Sequence, residues 1–334
     1  MGGLAGGVRR GVTVALVGLV GAVVLGSALL WANNYVLRLL TTILMYAALA
    51  QAWNLLGATG YVSFGNVAFF GIGAYTVAIL MTRFDVAFVA AAAIGAFLAA
   101  ALAVAVGFPM LRLKGHYFAI ATLGVAEAVR EIVGNLEFAG KGKGISLPVM
   151  DAEITEIYQY FYIVMLLIVL GALLASHLIL SGRAGYALVA IREDEDAAQM
   201  VGINTTAWKL SMFGAGAAIN GVGGGAYAYW MSYIDPVSAF NFLVTLMPLL
   251  MALLGGVGTL WGPLAGALIL EVLAETAWSH FLEFHRTVLG AMMVLVVLFF
   301  PGGLRDVIHL PQARLVGILR DLLRRYGGAR RWWC

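Results

Sequence analysis

Residues 86–108 carry no charged side chain and are built almost wholly from Ala, Val, Leu, Ile, Phe and Gly. A helix of that length and composition suits a bilayer, which asks for roughly 20 predominantly apolar residues. Comparable runs recur along the chain. Candidate spans fall at about 11–31, 37–57, 62–82, 86–108, 116–135, 157–180, 206–230, 242–256, 259–278 and 286–301. In hydrocarbon a backbone must satisfy its own polar groups, which leaves helices or closed barrels. A barrel strand would alternate apolar and polar residues over about ten positions, and these runs do not alternate. Only 11% of the residues are charged, against roughly 25% in soluble domains. The expected fold is an all-α polytopic membrane protein of about ten transmembrane helices, some broken or re-entrant.

Basic residues orient such a fold, because Lys and Arg favour cytoplasmic loops. Arg9 and Arg10 precede the first span, Arg112 and Lys114 follow the fourth, and Arg183 and Arg192 follow the sixth. Arg314, Arg320, Arg324, Arg325, Arg330 and Arg331 follow the tenth. All four clusters agree with cytoplasmic N and C termini. The 136–156 loop then lies outside, where Lys141 and Lys143 mix with Glu137, Asp151, Glu153 and Glu156. The chain divides into a short basic terminus 1–10, a membrane domain 11–302 and a basic tail 303–334. The run Val12–Trp31 exceeds the roughly 7–15 apolar residues of a signal peptide, so it is expected to be retained as a span.

Residues 181–206 are a charged island in this apolar chain. The segment reads as a short helix on the cytoplasmic surface, available to a soluble partner. Gly185 precedes a helix-compatible run, and Gly202 stands where a helix can end in a left-handed cap. Ala197 and Ala198 permit close approach. Arg183, Arg192, Glu193, Asp194, Glu195 and Asp196 can fix a docking register. Apolar Leu188, Val189, Ile191, Met200, Val201 and Ile203 in the same segment need cover.

Two glycine-rich interruptions, 57–66 and 255–263, both follow the phrase Leu-Leu-Gly-x-x-Gly, beginning at Leu55 and Leu253. Paired helix breaks can mark a transport pathway. Candidate path residues are Gln51, Asn54, Ser63, Gly65, Asn66, Gly258 and Thr259. Gln51, Asn54, Ser63 and Asn66 are neutral hydrogen-bonding groups suited to a zwitterionic solute. Within the fifth span, Glu127 and Arg130 are three residues apart and can pair. Glu271 and Glu275 share a helix face and need a basic partner or water. No Gly-x-x-x-x-Gly-Lys-[Ser/Thr] loop, His-Glu-x-x-His pair or Cys/His cluster is present. Neither a catalytic site nor a metal site is expected, and Gly223-Gly224-Gly225 reads as a close-packing surface. The one cysteine, Cys334, excludes an intrachain disulfide. The basic clusters report orientation and imply no nucleic acid.

The stretches GYVSFGNVAFFGIGAY (60–75) and RLKGHYFAIATL (112–123), the charged loop 181–206 and Leu253–Leu270 together resemble the LivM-type permeases of bacterial branched-chain amino acid ATP-binding-cassette importers. The resemblance covers most of residues 40–302. It implies a second, homologous but different permease chain, two cytoplasmic ATPases and an extracytoplasmic solute-binding protein, assembled in the lipid of the bacterial inner membrane. ATP and Mg would be bound by the ATPases, with no cofactor in this chain. Asp196-Ala197-Ala198-Gln199-Met200-Val201-Gly202 is similar to the family's Glu-Ala-Ala-x-x-x-Gly coupling signature. Asp in place of Glu keeps the negative charge and shortens the reach. Branched-chain or other hydrophobic amino acids are the expected solutes. Urea, short amides or aromatic acids are same-family alternatives, and an ion-coupled secondary transporter is the alternative from another class.

Overall fold

The computed structural model describes residues 33–280 and, beyond them, only Thr287, Gly290, Ala291 and Val294. The expected spans 11–31 and, but for those four residues, 286–301 lie outside the described residues, as does the basic tail.

Helix α1 (Asn34–Gly57) starts at Asn33, whose side chain accepts the Tyr35 N–H at 3.0 Å. Helices α2 (Asn66–Arg83), α3 (Phe88–Met110) and α4 (His116–Asn135) follow. Two short 3-10 turns and a strand β1 (Ile145–Ser146) lead to α5 (Ile154–Leu180). Next come two short helices, α6 (Arg183–Glu193) and α7 (Glu195–Met200), and the long α8 (Thr205–Met231). Strand β2 (Tyr233–Ile234), α9 (Pro236–Ala239), α10 (Leu243–Gly255) and α11 (Gly262–His280) complete the described chain. Helices form at the expected positions between 37 and 278. Among the described residues five segments are long and apolar enough to cross a membrane: α1, α2, α3, α5 and α9–α10 taken together. Helices α4, α8 and α11 match them in length but carry charged or polar side chains.

Helix α8 is the centre of the bundle and packs on α1, α2 and α3. Its glycines make this possible. A Cβ on Gly221 would crowd Ala99, and one on Gly224 would collide with the Phe70 carbonyl oxygen. Small residues let helix backbones approach where lipid offers no hydrophobic drive between helices. The Gly223–Gly225 run is therefore a packing surface, as its setting in an apolar span suggests. The inner half of α1 is buried without interruption from Ala47 to Gly57.

Side-chain contacts sort the loops into two ends. Lys114 pairs with Asp196 at 2.8 Å, and the Arg192 side chain lies against Gly60 and Gly258. Loops 58–65, 111–115, 181–204 and 256–261 therefore share one end, here called the coupling end. At the opposite end β1 and β2 pair antiparallel, Ile145 opposite Ile234, and join the 136–153 loop to the turn after α8. This relative sidedness is the one the basic residues require for Arg112, Lys114, Arg183 and Arg192 against the 136–156 loop.

Candidate functional site

The charged island forms two helices where one was expected. Helix α6 runs to Glu193, and Asp194 then adopts an extended backbone at φ −157°. Its side chain caps α7 by accepting the Ala197 N–H at 2.9 Å. An N-cap Asp satisfies an orphan donor and favours the positive helix end, so the acidic run breaks the helix and restarts it. Gly185 lies in the first turn of α6, where a Cβ would collide with the Leu180 carbonyl oxygen. Only glycine lets α6 fold back so tightly on α5. Gly202 ends the pair at φ +86°, with its N–H on Gln199 O and the Ile203 N–H on Ala198 O. That is the expected left-handed cap.

Each helix has two faces. Leu188, Ile191 and Ala198 are buried against the bundle. Tyr186, Val189, Met200 and Val201 are left open, Met200 at 88% exposure and Tyr186 at 81%. Of the six apolar residues that needed cover, Val189, Met200 and Val201 therefore stay mostly exposed.

Behind α7 lies a buried ion pair. Glu195 turns inward to Lys209 of α8, Oε1 to Nζ 2.5 Å. The Lys209 side chain is 1% exposed. Its ammonium also donates to Tyr61 Oη at 3.1 Å and to the Leu111 carbonyl at 3.3 Å, and it sits 4.4 Å from the Tyr61 ring centroid. Tyr61 donates in turn to Glu195 Oε2 at 2.7 Å, and Thr205 to Oε1 at 3.2 Å. Burial pushes the Glu195 carboxyl up, but the hydrogen bonds from Lys209, Tyr61 and Thr205 and the Lys209 charge outweigh it and hold the carboxyl below its usual range. One buried cation thus ties α7 to α8, to the loop after α1 and to the end of α3.

Arg192 makes the second tie. The two Leu-Leu-Gly-x-x-Gly phrases each end a helix at their first glycine and place their last glycine in the left-handed region, Gly60 at φ +84° and Gly258 at +80°, but they differ between these points, with Ala58 right-handed at φ −60° and Gly256 at +108°. Thr59 and Thr259 each donate to a carbonyl three residues back. Both turns meet Arg192: a Cβ on Gly60 would lie 3.5 Å from its Cγ, and one on Gly258 3.6 Å from Nη1. Of the candidate path residues, Asn54, Gly258 and Thr259 come together, because Asn54 Oδ1 accepts the Gly258 N–H at 2.7 Å and Nδ2 donates to Thr259 O at 2.9 Å. Ser63 and Gly65 form a second group, the Ser63 hydroxyl accepting the Gly65 N–H, with Asn66 beginning α2 just after it. Gln51 stands apart in the core, 2% exposed, and its amide has no hydrogen-bond partner among the described residues.

Asn54→Leu, which leaves the half-buried Gly258 N–H and Thr259 carbonyl without the Asn54 amide, should cost about 1–3 kcal/mol. Thermal unfolding in detergent should show a lowered midpoint, and an unchanged one would remove the Asn54 bonds from the account. Away from this end, Arg130 pairs with Glu127 as the spacing indicated, and also with Glu131 at 3.2 Å. The basic partner needed by the Glu271–Glu275 face is Arg38, 2.9 Å from Glu275.

The description "Branched-chain amino acid transport system / permease component" fits residues 35–297, which take in every residue of this site. This chain belongs to that permease family. It is 31% identical over 303 residues to the high-affinity branched-chain amino acid transport system permease protein LivM of Escherichia coli K12, covering 82% of this chain and 71% of that protein. It is 28% identical over 287 residues to LivH of Salmonella typhimurium, at 78% and 90% coverage. The probable LivM of Methanocaldococcus jannaschii is 28% identical over 217 residues, at 59% and 61% coverage. No solved structure matches. The permease is therefore a multi-pass membrane protein of a transport system.

Sequence reasoning named Glu195 and Arg192 but passed over Lys209, Tyr61 and Thr205. A signal for Lys209 existed: it is the one charged residue in the expected span 206–230, and ionisable residues in spans face the bundle interior and mark function. The matched signature residue Asp196 turns out to the exposed Lys114, while its neighbour Glu195 holds the buried cation.

Proposed function

We propose that this permease is the translocation subunit of an ATP-driven importer for branched-chain or other hydrophobic amino acids in the bacterial inner membrane. It works with a second, homologous but different permease chain. Two cytoplasmic ATPases supply the work by binding ATP and Mg, and an extracytoplasmic binding protein delivers the solute. The observation that carries this reading is the pair α6–α7, which is open and apolar on one face and anchored on the other by Arg192 and by the bond of Glu195 to the buried Lys209. Exposed large side chains set among charges suit a protein partner, here an ATPase groove. The anchors give its movement somewhere to go. Displacing α7 pulls on Lys209 and hence on α8, Tyr61 and the end of α3, and displacing α6 moves Arg192 against both glycine turns. Helix α8 packs on α1, α2 and α3, so the pull reaches four spans. Relatives named as both LivM and LivH support a two-permease system, and their names favour branched-chain amino acids over urea, amides or aromatic acids.

Met200→Asp tests the docking face, because it places a charge in an apolar contact without touching the buried anchors. When the permease is expressed with its cognate ATPases, the variant should reach the membrane normally. It should lose ATPase co-purification by roughly tenfold or more, in keeping with a central interface residue. Solute uptake should fall with it. Undiminished uptake and co-purification would sink the ATPase-driven reading and favour a carrier that works alone.

A further inference from the structure

At the end opposite the coupling helices lies a cleft of about 600 Å³ that the proposed mechanism does not use. This volume is within the roughly 300–1,000 Å³ of small-molecule sites. Three elements meet there: the last two turns of α4 with Arg130, Glu131 and Asn135, the turn at Lys141, and the start of α9 with Pro236 and Val237. Gly134 lines the cleft facing Pro236, whose ring a Cβ there would meet at 3.7 Å. The lining sets both signs of charge within one side chain's reach. Arg130 lies between Glu127 and Glu131, and Lys141 is held by Glu137 at 2.7 Å. These pairs are partly exposed, and ion pairs in water are weak, so an incoming ion can exchange into them. The carbonyls ending α4 add a partial negative charge that favours a cation. Val237, 72% exposed, offers an apolar wall.

We infer that this cleft receives the zwitterionic head of an amino-acid solute, its carboxylate on Arg130 and Lys141 and its ammonium on Glu131, with an aliphatic side chain against Val237. This deepens the proposed transport reading and rests on it. A zwitterionic lipid headgroup carries the same two charges, and the test separates the two sources.

The probe is a cysteine at Asn135, an exposed position, in the assembled transporter with Cys334 replaced by Ser. A membrane-impermeant maleimide labels it in phosphatidylglycerol nanodiscs, which hold no zwitterionic lipid. Leucine should slow labelling. Isocaproate, which has only the carboxylate, and isoamylamine, which has only the ammonium, should not do so at equal concentration. Glu131→Gln and Arg130→Gln should each raise the leucine concentration for half-protection by roughly tenfold, about one charge-assisted contact. Labelling indifferent to leucine, or slowed equally by either half-charged analogue, overturns the inference. So does slowing only when phosphatidylethanolamine is added, which leucine does not relieve. Stimulation of ATP hydrolysis by the leucine-loaded binding protein, measured on the unlabelled wild type, reports on the transport reading separately. Stimulation without protection would fail the cleft alone.

Discussion

Lys209→Met is expected to separate ATP hydrolysis from transport and to destabilise the permease by about 3–5 kcal/mol, the cost of stranding one partner of a buried ion pair. The carboxylate left behind is Glu195, whose side chain is 15% exposed. It keeps its bonds from Tyr61 and Thr205 but loses the ammonium hydrogen-bonded to it. Glu195→Gln combined with Lys209→Met should recover most of the loss, because paired buried charges replaced together are often near neutral in stability. Thermal unfolding of the two single variants and the double variant gives the coupling between the residues directly. The functional outcome should differ from the stability outcome. The double variant folds but no longer links α7 to α8 by charge, so hydrolysis should continue while uptake per ATP falls. A Lys209→Met protein that melts at the wild-type temperature, or a double variant with full uptake per ATP, would show that the pair is not the link.

The same pair sets a pH window. The Glu195 carboxyl is held below the ordinary glutamate value of 4.5. A lowered folded-state value means stability that is complete above the unfolded value and is lost as pH falls through the folded one. The link between α7 and α8 should therefore persist through neutral and mildly acidic conditions and loosen only below the usual carboxylate range.

Local signals were legible in the sequence and distant ones were not. Helix α4 occupies the expected 116–135, and α8 falls within one residue of 206–230 at each end, because polar and glycine-bearing stretches bound both runs even though each carries charge of its own. Helix α5 begins three residues earlier than expected, at Ile154, since its first turn carries Glu156 and hydropathy does not register a polar turn outside the membrane. The Glu127–Arg130 pair follows from helical spacing. Arg38 and Glu275 stand 237 positions apart, and no local pattern joins them. The break at Asp194 was hidden because four consecutive acids read as one polar face, although Asp194 followed by Ala197 is also an N-cap spacing. The echoed glycine phrases were visible as paired interruptions. That both turns would close on one arginine of the charged island needed the fold.

The largest effect on the fold is expected at Gly224. A Cβ there would fall on the Phe70 carbonyl oxygen, and Gly73 meets the Gly221 carbonyl in the same way, so α2 and α8 touch backbone to backbone. Overpacking a core usually costs about 1–3 kcal/mol, as side chains shift to make room. No rotamer can give way here, and the two helices would have to separate along their length. Gly224→Val should yield little or no protein that survives detergent extraction. Gly171 on α5 has no neighbour within 4 Å of an added Cβ, and Gly171→Ala should be neutral or gain roughly 0.5–1 kcal/mol from helix propensity. Gly258→Ala stands between these cases. The left-handed conformation penalises any side chain by about 1–2 kcal/mol, but the nearest atom is the Arg192 guanidinium at 3.6 Å, which can move. That variant should assemble with its partners and fail in uptake, because the strained turn would shift against the arginine through which α6 meets it. Size-exclusion profiles and uptake measured on all three proteins decide the matter. If Gly258→Ala aggregates as Gly224→Val does, the turn is a packing element and carries no motion; if Gly224→Val extracts as a monodisperse protein, the close approach of α2 and α8 is not what holds the bundle together.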